Sequence, residues 1–345
     1  MGHIQKKRQA DRMFRQGIVT SIVSKFDEYL VMNLKVSCQI NPGWLKNPDK
    51  KITYKELLEI QSLEDLKGEI VQKEIDSLMR DSHQAQIIFL DSRIKLGIEQ
   101  GFPQWLDFLE VTERRNLFVH TGGSVSSQYI ENCQRWKITL DSKIKEGVHL
   151  SASDDYIQRA VDCFYEISVR LTQALVRRLF PECFSSADSI LNNRTVELLI
   201  QERWELAERL FEFAMGIPKE LTSKGEMEFY FLINICIARK FGGKPFSERL
   251  HSVDWKPFHP KYHLAVAILE DRFDEAERLM RSQAVLDQLS EQHFKEWPLL
   301  RDFRRTEAFL NAFRDIFKKD YAKELLEEAQ KEMQAQENDT VDNTP

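Results

Sequence analysis

The sequence has 345 residues, of which 42% are hydrophobic and 30% charged, and its formal net charge is −6. This balance is typical of folded domains rather than disordered chains, and the length suits two or three domains with cores of their own. No apolar run approaches the roughly 20 residues of a membrane helix, and the polar, cationic N-terminus does not resemble a secretory signal. We therefore expect a soluble, cytoplasmic protein.

The charge is unevenly distributed along the chain. Residues 1–185 contain 26 basic and 25 acidic residues, whereas the remainder contains 23 basic and 30 acidic ones. The acidity therefore belongs to the C-terminal half, which indicates two domains with different roles.

Almost every segment of the N-terminal half has the apolar periodicity of an amphipathic helix. A first helix is predicted over 8–34 and is followed by a proline- and glycine-containing loop from residue 40. Ser62 and Asp65 resemble a capping box that opens the next helix. Further helices are predicted from about 87 through 98, through 105–118, and over 153–180, where Pro181 ends the last one. The sequence therefore predicts an all-α N-terminal bundle.

Residues 113–123, ERRNLFVHTGG, form the most informative segment. On a helix, Asn116 and His120 are i,i+4 neighbours that could hydrogen-bond, and Arg115 lies one row aside. Gly122 and Gly123 predict a left-handed C-cap directly after them. A fixed cation, a polar orienting group and a titratable imidazole therefore share one patch.

These three residue types suit chemistry on an RNA phosphodiester. An imidazole can move the proton of the 2′-hydroxyl nucleophile or of the leaving oxygen, and a guanidinium can stabilise the charge of the transition state. The alternative from spacing alone is a solvated helix end with a capping histidine. His83, which precedes an apolar helix, is interpreted as a surface or capping residue.

The sequence contains no pattern that indicates a metal or another cofactor. Its five cysteines are odd in number and widely spaced, which argues against a disulfide framework and a zinc site. His259 and His263 have a metal-like spacing but lack the accompanying carboxylate, so a structural role is favoured. We expect no cofactor and no metal.

The C-terminal half has a different sequence pattern, in which alanine and aromatic residues recur at helical spacings. Trp204, Ala207 and Phe211 in one stretch are matched by Phe273 and Ala276 in another, about two tetratricopeptide units further along. The segment over about 190–320 therefore resembles degenerate tetratricopeptide repeats. A helix starting near Phe229 would begin a middle repeat whose partner helix is interrupted by Pro245. A generic helical bundle is the alternative.

The R-N-L-F-V-H stretch, followed by T-G-G in an all-helical setting, resembles the R-x4-6-H signature of HEPN domains. The resemblance covers about residues 8–182. It implies a metal-independent ribonuclease that acts as a dimer, with Arg115 stabilising phosphate, His120 as the acid–base group and Asn116 orienting it. Arg114 would contact RNA, and Glu113 would position an arginine. Members neutralised by nucleotidyl transfer carry a tyrosine two residues past the histidine, where this chain has Gly122.

The combined expectation is a HEPN-like domain over 1–185, tetratricopeptide-like repeats over 190–330 and a polar, disordered tail over 331–345. The expected function is a metal-independent endoribonuclease of a prokaryotic toxin or antiviral defence system, regulated by a protein partner of the repeats. The alternative is a non-catalytic adaptor that dimerises through the bundle and binds a protein partner.

Overall fold

A computed structural model describes residues 2–44, 53, 62–95, 97–223, 225–327, 330 and 331. Within these ranges the chain is all-helical, which confirms the predicted fold class, and a single isolated bridge pairs Ser124 with His149. The predicted tail over 331–345 lies, apart from residue 331, outside the described residues. Two compact units are present, Met1–Ala187 and Asp188–Pro345, and the division falls inside a helix.

The first unit is built from seven helices and the start of an eighth in its described part. They are α1 (Gly2–Ile40), α2 (Leu63–Leu78), α3 (His83–Ile94), α4 (Ile98–Gly101), α5 (Trp105–Thr121), α6 (Ser127–Arg135), α7 (Asp154–Leu179) and α8 (Phe184–Ile200), with short 3-10 turns at Pro42–Trp44 and Pro181–Cys183.

The core of the first unit lies where α1, α5 and α7 pack together. Phe26, Phe108 and Phe164 contribute one ring from each of these helices, and the three ring centroids lie 5.1 to 5.4 Å apart. All three side chains are buried, so this cluster fixes the position of α5 in the bundle.

One predicted helix is shorter than the sequence indicated. The apolar pattern from 87 through 98 predicts a single helix, but α3 ends at Ile94 and Lys95 adopts a left-handed conformation. The Asp91 carboxylate then accepts hydrogen bonds from the amides of Gly97 and Ile98, at 2.8 and 3.1 Å. This cap starts the separate helix α4, because it satisfies amides that a helix start leaves unpaired. The predicted N-cap at Ser62 is confirmed, since its hydroxyl accepts from the Asp65 amide.

In its described part the second unit continues α8, contains a helical stretch over 321–327, and adds eight further helices. They are α9 (Trp204–Met215), α10 (Met227–Phe241), α11 (Ser247–Leu250), α12 (Pro260–Leu269), α13 (Phe273–Met280), α14 (Gln283–Leu286), α15 (Glu291–Glu296) and α16 (Glu307–Phe317), with 3-10 turns at Lys219–Leu221, Pro298–Leu300 and Phe303–Arg305.

Two helix pairs carry the small-residue pattern noted in the sequence. α9 packs antiparallel to α10, because the ring of Trp204 meets that of Phe241 at 5.4 Å while Phe211 meets Phe231 at 6.1 Å. α12 packs against α13, and the alanine that the pattern singled out on α13, Ala276, is fully buried. The stretch after α10 holds only the four-residue helix α11 before α12 begins. The tetratricopeptide-like order of these helices stays a prediction.

Candidate functional site

The helix α5 carries every candidate site residue named from the sequence. Its inner face is anchored by Trp105, Phe108, Leu117 and Phe118, all of which are buried. The other faces of α5 therefore lie at the surface of the first unit near the C-terminal end of the helix.

The predicted glycine C-cap is confirmed. Gly122 and Gly123 have φ values of +60° and +92°, which L-residues with a Cβ rarely adopt. The Gly123 amide donates to the Leu117 carbonyl at 3.0 Å, and the Gln16 side chain of α1 donates to the Gly122 carbonyl at 3.2 Å. The end of α5 is thereby fixed to α1, directly after His120.

Arg115 and Asn116 are in contact. The Arg115 guanidinium donates to the Asn116 side-chain oxygen at 3.2 Å, and its side chain is 25% exposed. The Arg115 Nε is buried and has no hydrogen-bond partner among the described residues. Arg115 also lies 3.8 Å from the Asp27 carboxylate of α1, a long ion pair. The arginine is therefore held at its edges by two neighbours.

His83 and Asp27 extend this cluster, and sequence reasoning missed both residues. The His83 side chain is 13% exposed rather than at the surface, and its Nε2 lies 2.8 Å from Asp27 Oδ1. Its ring packs edge-on against Phe108 with centroids 6.3 Å apart. Ser82, not His83, is the N-cap of α3. No local pattern links positions 27, 83 and 115, so only the packing of α1, α3 and α5 reveals that Asp27 bridges a histidine and an arginine.

His120 lies in the last turn of α5, one helical turn beyond Asn116. Its side chain is exposed and forms no hydrogen bond or ion pair with the described residues. The bond to Asn116 that i,i+4 spacing allows is not formed in the described part of the chain. Along the helix, His120 lies five residues beyond Arg115, which corresponds to about 7.5 Å of rise and about 140° of rotation.

Arg114 has a different environment from Arg115. Its side chain is 11% exposed, its Nε donates to Glu110 at 2.8 Å, and its guanidinium lies 4.6 Å from the Tyr156 ring centroid. The Glu110 carboxylate also accepts from the hydroxyls of Tyr129 and Tyr156, at 2.7 and 2.8 Å. This geometry favours a structural role for Arg114 over the predicted RNA contact, because its donors are already directed inward.

The Glu110 network also suppresses the ionisation of its tyrosines. Burial raises the pKa of Tyr129, and the neighbouring Glu110 charge raises it further; the pKa of Tyr156 is raised for the same reasons. Both hydroxyls therefore stay protonated as donors to Glu110. The network attaches α5 to α6 and α7 and so fixes the position of α5 against these two helices.

Glu113, the weaker candidate for positioning an arginine, is directed elsewhere. Its carboxylate accepts from the Asn132 side chain of α6 at 2.9 Å. It therefore contributes to the attachment of α6 to α5.

The described residues hold no metal site. No group of three or more histidine, cysteine, aspartate or glutamate side chains suitable for a metal ion occurs there. His259 and His263 each bond to backbone, to the Lys261 amide at 3.2 Å and to the Trp255 carbonyl at 2.9 Å. Within the same ranges, no helix is long and apolar enough to cross a bilayer.

Comparison with known proteins gives no relative from which a function could be transferred. No family model matches the chain, nor does any curated protein or solved structure.

Proposed function

We propose that this protein is a metal-independent endoribonuclease of the HEPN type. The observation that carries the proposal is the end of α5, where Arg115 is hydrogen-bonded to Asn116 and an exposed His120 follows just before the glycine cap. A cation, an oriented amide and an accessible imidazole are the groups that cleavage through the ribose 2′-hydroxyl needs.

In the proposed reaction, the 2′-hydroxyl oxygen attacks the adjacent phosphorus and the bond to the 5′-oxygen breaks. His120 exchanges a proton with the attacking or the leaving oxygen, and Arg115 binds a non-bridging oxygen whose negative charge grows in the transition state. The products are a 2′,3′-cyclic phosphate and a 5′-hydroxyl. Asn116 holds the guanidinium through its side-chain oxygen, at 3.2 Å.

Asp27 and His83 act as positioning residues in this proposal. The Asp27 carboxylate lies between His83 Nε2 and the Arg115 guanidinium, at 2.8 and 3.8 Å. His83 is largely buried against Phe108, so its place is behind Arg115 rather than on the substrate. Together they limit the rotamers that Arg115 can adopt before RNA binds.

We propose further that the active species is a homodimer through the first unit. Each chain exposes one histidine of the motif, whereas transesterification uses both a base and an acid, so two facing motifs complete a site. The first unit also has an apolar depression of about 710 Å³ between α1 and α7, lined among others by Phe14, Ile18 and Tyr165. Phe14 and the adjacent Met13 are exposed and extend this apolar surface, which a second copy of the chain would cover in the proposed dimer.

The second unit is proposed to bind a protein partner that regulates the nuclease in a toxin or defence setting. Its acidic balance, 23 basic against 30 acidic residues after position 185, makes it a poor surface for RNA. Chemistry is thereby assigned to the first unit and regulation to the second.

The test compares purified wild-type protein with Arg115→Ala and His120→Ala variants on a labelled RNA. Wild type is expected to cleave in excess EDTA and to leave cyclic phosphate ends, and each substitution is expected to lower the rate by about two to four orders of magnitude. His149→Ala is a matched control, because this exposed histidine lies outside the motif.

Two outcomes would contradict the proposal. Loss of cleavage on chelation, restored by a divalent ion, would indicate a metal-dependent reaction. The non-catalytic adaptor would be favoured if the wild-type protein bound RNA or a protein without cleaving any RNA and the His120→Ala variant dimerised as well as the wild type.

A further inference from the structure

The N-terminal part of α1 carries a basic surface that has no role in the proposed cleavage. Five basic residues lie within 5–17, namely Lys6, Lys7, Arg8, Arg12 and Arg15. The one acidic residue of this stretch, Asp11, pairs with Arg15, which also pairs with Asp154 of α7. The other four cations form no ion pair with the described residues, so this surface keeps an excess of positive charge.

Arg8 and Arg12 form a stripe on one face of α1, which we call the arginine stripe. They are i,i+4 neighbours, and Gln16 follows Arg12 at the same spacing, with about 6 Å of rise along the helix per step. The Gln16 side chain donates to the Gly122 carbonyl at 3.2 Å, two residues after His120. The arginine stripe therefore leads away from the end of α5 that carries the proposed acid–base group.

Arg12 lies above the junction of α1 with α5 and α7. It is three residues before Arg15, which pairs with α7, and four before Gln16, which bonds to the end of α5, so it shares a face with both. Arg12 is half-buried, its Nε is buried, and its guanidinium has no hydrogen-bond partner or ion pair among the described residues. A partly buried cation without a counter-ion favours the approach of an anion.

The arginine stripe and the proposed dimer surface lie on different faces of α1. Phe14, Gly17 and Ile18 line the apolar depression between α1 and α7, whereas neither Arg8 nor Arg12 lines it. At about 100° per residue, Arg12 is turned by about 160° from Phe14. A dimer that covers the apolar depression therefore does not require the arginines.

The composition of the stretch favours a nucleic-acid strand over a lipid surface. Its hydrophobic residues within 5–17 are Ala10, Met13 and Phe14 alone. A helix that enters a bilayer needs a broad apolar face opposite its cations, which these three residues do not provide. A single-stranded RNA instead needs a row of cations along its phosphate backbone, and the arginine stripe supplies such a row beside the proposed site.

We propose that Arg8 and Arg12 bind phosphates of the RNA strand next to the cleavage site and hold that strand along α1. The inference rests on the proposal that α5 acts on RNA, and it specifies where the bound strand runs. Both arginines are positioning residues that stay outside the chemical step. Their contacts are the same before and during the reaction, so they should govern RNA affinity and KM rather than kcat.

The experiment measures, by fluorescence anisotropy, the binding of a single-stranded RNA of about 12 nucleotides to full-length His120→Ala protein, the non-cleaving parent. Adding Arg8→Ala or Arg12→Ala should weaken binding by about three- to tenfold, the effect of a lost charge-assisted hydrogen bond. Each should also lower the slope of log affinity against log salt by about 0.7. Arg12→Lys should keep the parent's slope because it keeps the charge. Arg178→Ala, which removes an exposed arginine at the end of α7, is the matched control and should bind as the parent does.

Arg8 is exposed, so its truncation tests the arginine stripe even if Arg12→Ala fails to fold. A parent that does not bind the RNA, an Arg8→Ala variant with unchanged RNA affinity, or an equal loss in Arg178→Ala would overturn the proposal. Binding to phosphatidylserine vesicles that requires Arg8, with RNA affinity unchanged, would assign the surface to a membrane instead. RNA binding that needs the arginine stripe in a wild-type protein without cleavage would refute the cleavage proposal alone. Cleavage with a KM that is unchanged by Arg8→Ala and Arg12→Ala would refute the arginine stripe alone.

Discussion

At the scale of single residues, Arg115 is the side chain whose surroundings most closely match its proposed role. The Nε of Arg115 is buried and has no hydrogen-bond partner among the described residues, and the Asp27 carboxylate lies 3.8 Å from the guanidinium. Arg115 is therefore held in place without a close ion pair. Arg114, its neighbour in sequence, is instead bound tightly by Glu110 at 2.7 Å. Two adjacent arginines thus have different environments, and only Arg115 keeps donors available for a phosphate.

The first prediction concerns Asp27. Asp27→Asn keeps the size of the side chain but removes the charge that faces both His83 and Arg115, so Arg115 should sample more rotamers. We expect the kcat of RNA cleavage to fall about tenfold, with a smaller change in KM, because orientation rather than substrate affinity is lost. Steady-state kinetics on a short RNA would measure this.

Glu28→Gln is the matched control for that experiment. Glu28 is the next residue on α1, is exposed, and pairs only with Lys25 among the described residues, so its neutralisation should leave the rate unchanged. Asp27→Asn protein that cleaves as fast as wild type would show that the carboxylate does not position Arg115.

At the scale of elements, α5 is held at two places. The Glu110 network fixes its middle to α6 and α7, and the glycine cap fixes its end to α1 through Gln16. Arg115, Asn116 and His120 lie between these two attachments, so the motif has little freedom. This rigidity favours a preorganised site, which is the property expected of a charge-stabilising catalyst.

The second prediction separates the two glycines of the cap. Both have positive φ, but a Cβ on Gly122 would meet open space, whereas one on Gly123 would lie 2.9 Å from the Leu150 carbonyl oxygen and 2.7 Å from Gln16 Nε2. Gly122→Ala should therefore cost about 1 kcal/mol of the free energy of unfolding, from backbone strain alone. Gly123→Ala should cost about 1 to 3 kcal/mol more, because the backbone must also shift.

Urea unfolding followed by circular dichroism would give both free energies. Equal losses for the two variants would contradict the close approach of Gly123 to Leu150. Gly17→Ala on α1 serves as a reference, because a Cβ there meets nothing within 4 Å and the backbone is helical.

At the scale of the whole molecule, the chain contains two compact units with separate assignments. The first unit has its own buried core around Phe26, Phe108 and Phe164. The five residues of the proposed site also belong to this unit, namely Asp27, His83, Arg115, Asn116 and His120. A cavity lined by Asn192, Asn234 and Trp297, among others, lies entirely in the second unit. Removal of the second unit should therefore leave the chemistry in place.

The third prediction concerns a protein that comprises residues 1–187. Because its core and site are complete, we expect it to fold and to sediment as a dimer at micromolar concentration. It should also cleave RNA with a kcat within about threefold of the full-length value. Analytical ultracentrifugation and the RNA assay measure the two properties. The same fragment carrying His120→Ala controls for contaminating nuclease. A folded fragment that is inactive would show that the second unit contributes to catalysis, and an active monomer would contradict the composite site.

The sequence by itself determined the helical fold class, because apolar residues at spacings of three and four are a local signal that survives without tertiary context. It also determined the C-cap of α5, since two adjacent glycines after a helical pattern leave few other conformations. Tertiary structure alone decided which polar residues meet. Asp27, His83 and Arg115 come from three helices, and Asn192 and Asn234 from two, so no periodicity within one segment relates them. It also decided that Arg114 turns inward, because that depends on Glu110 and Tyr156 being packed beside it.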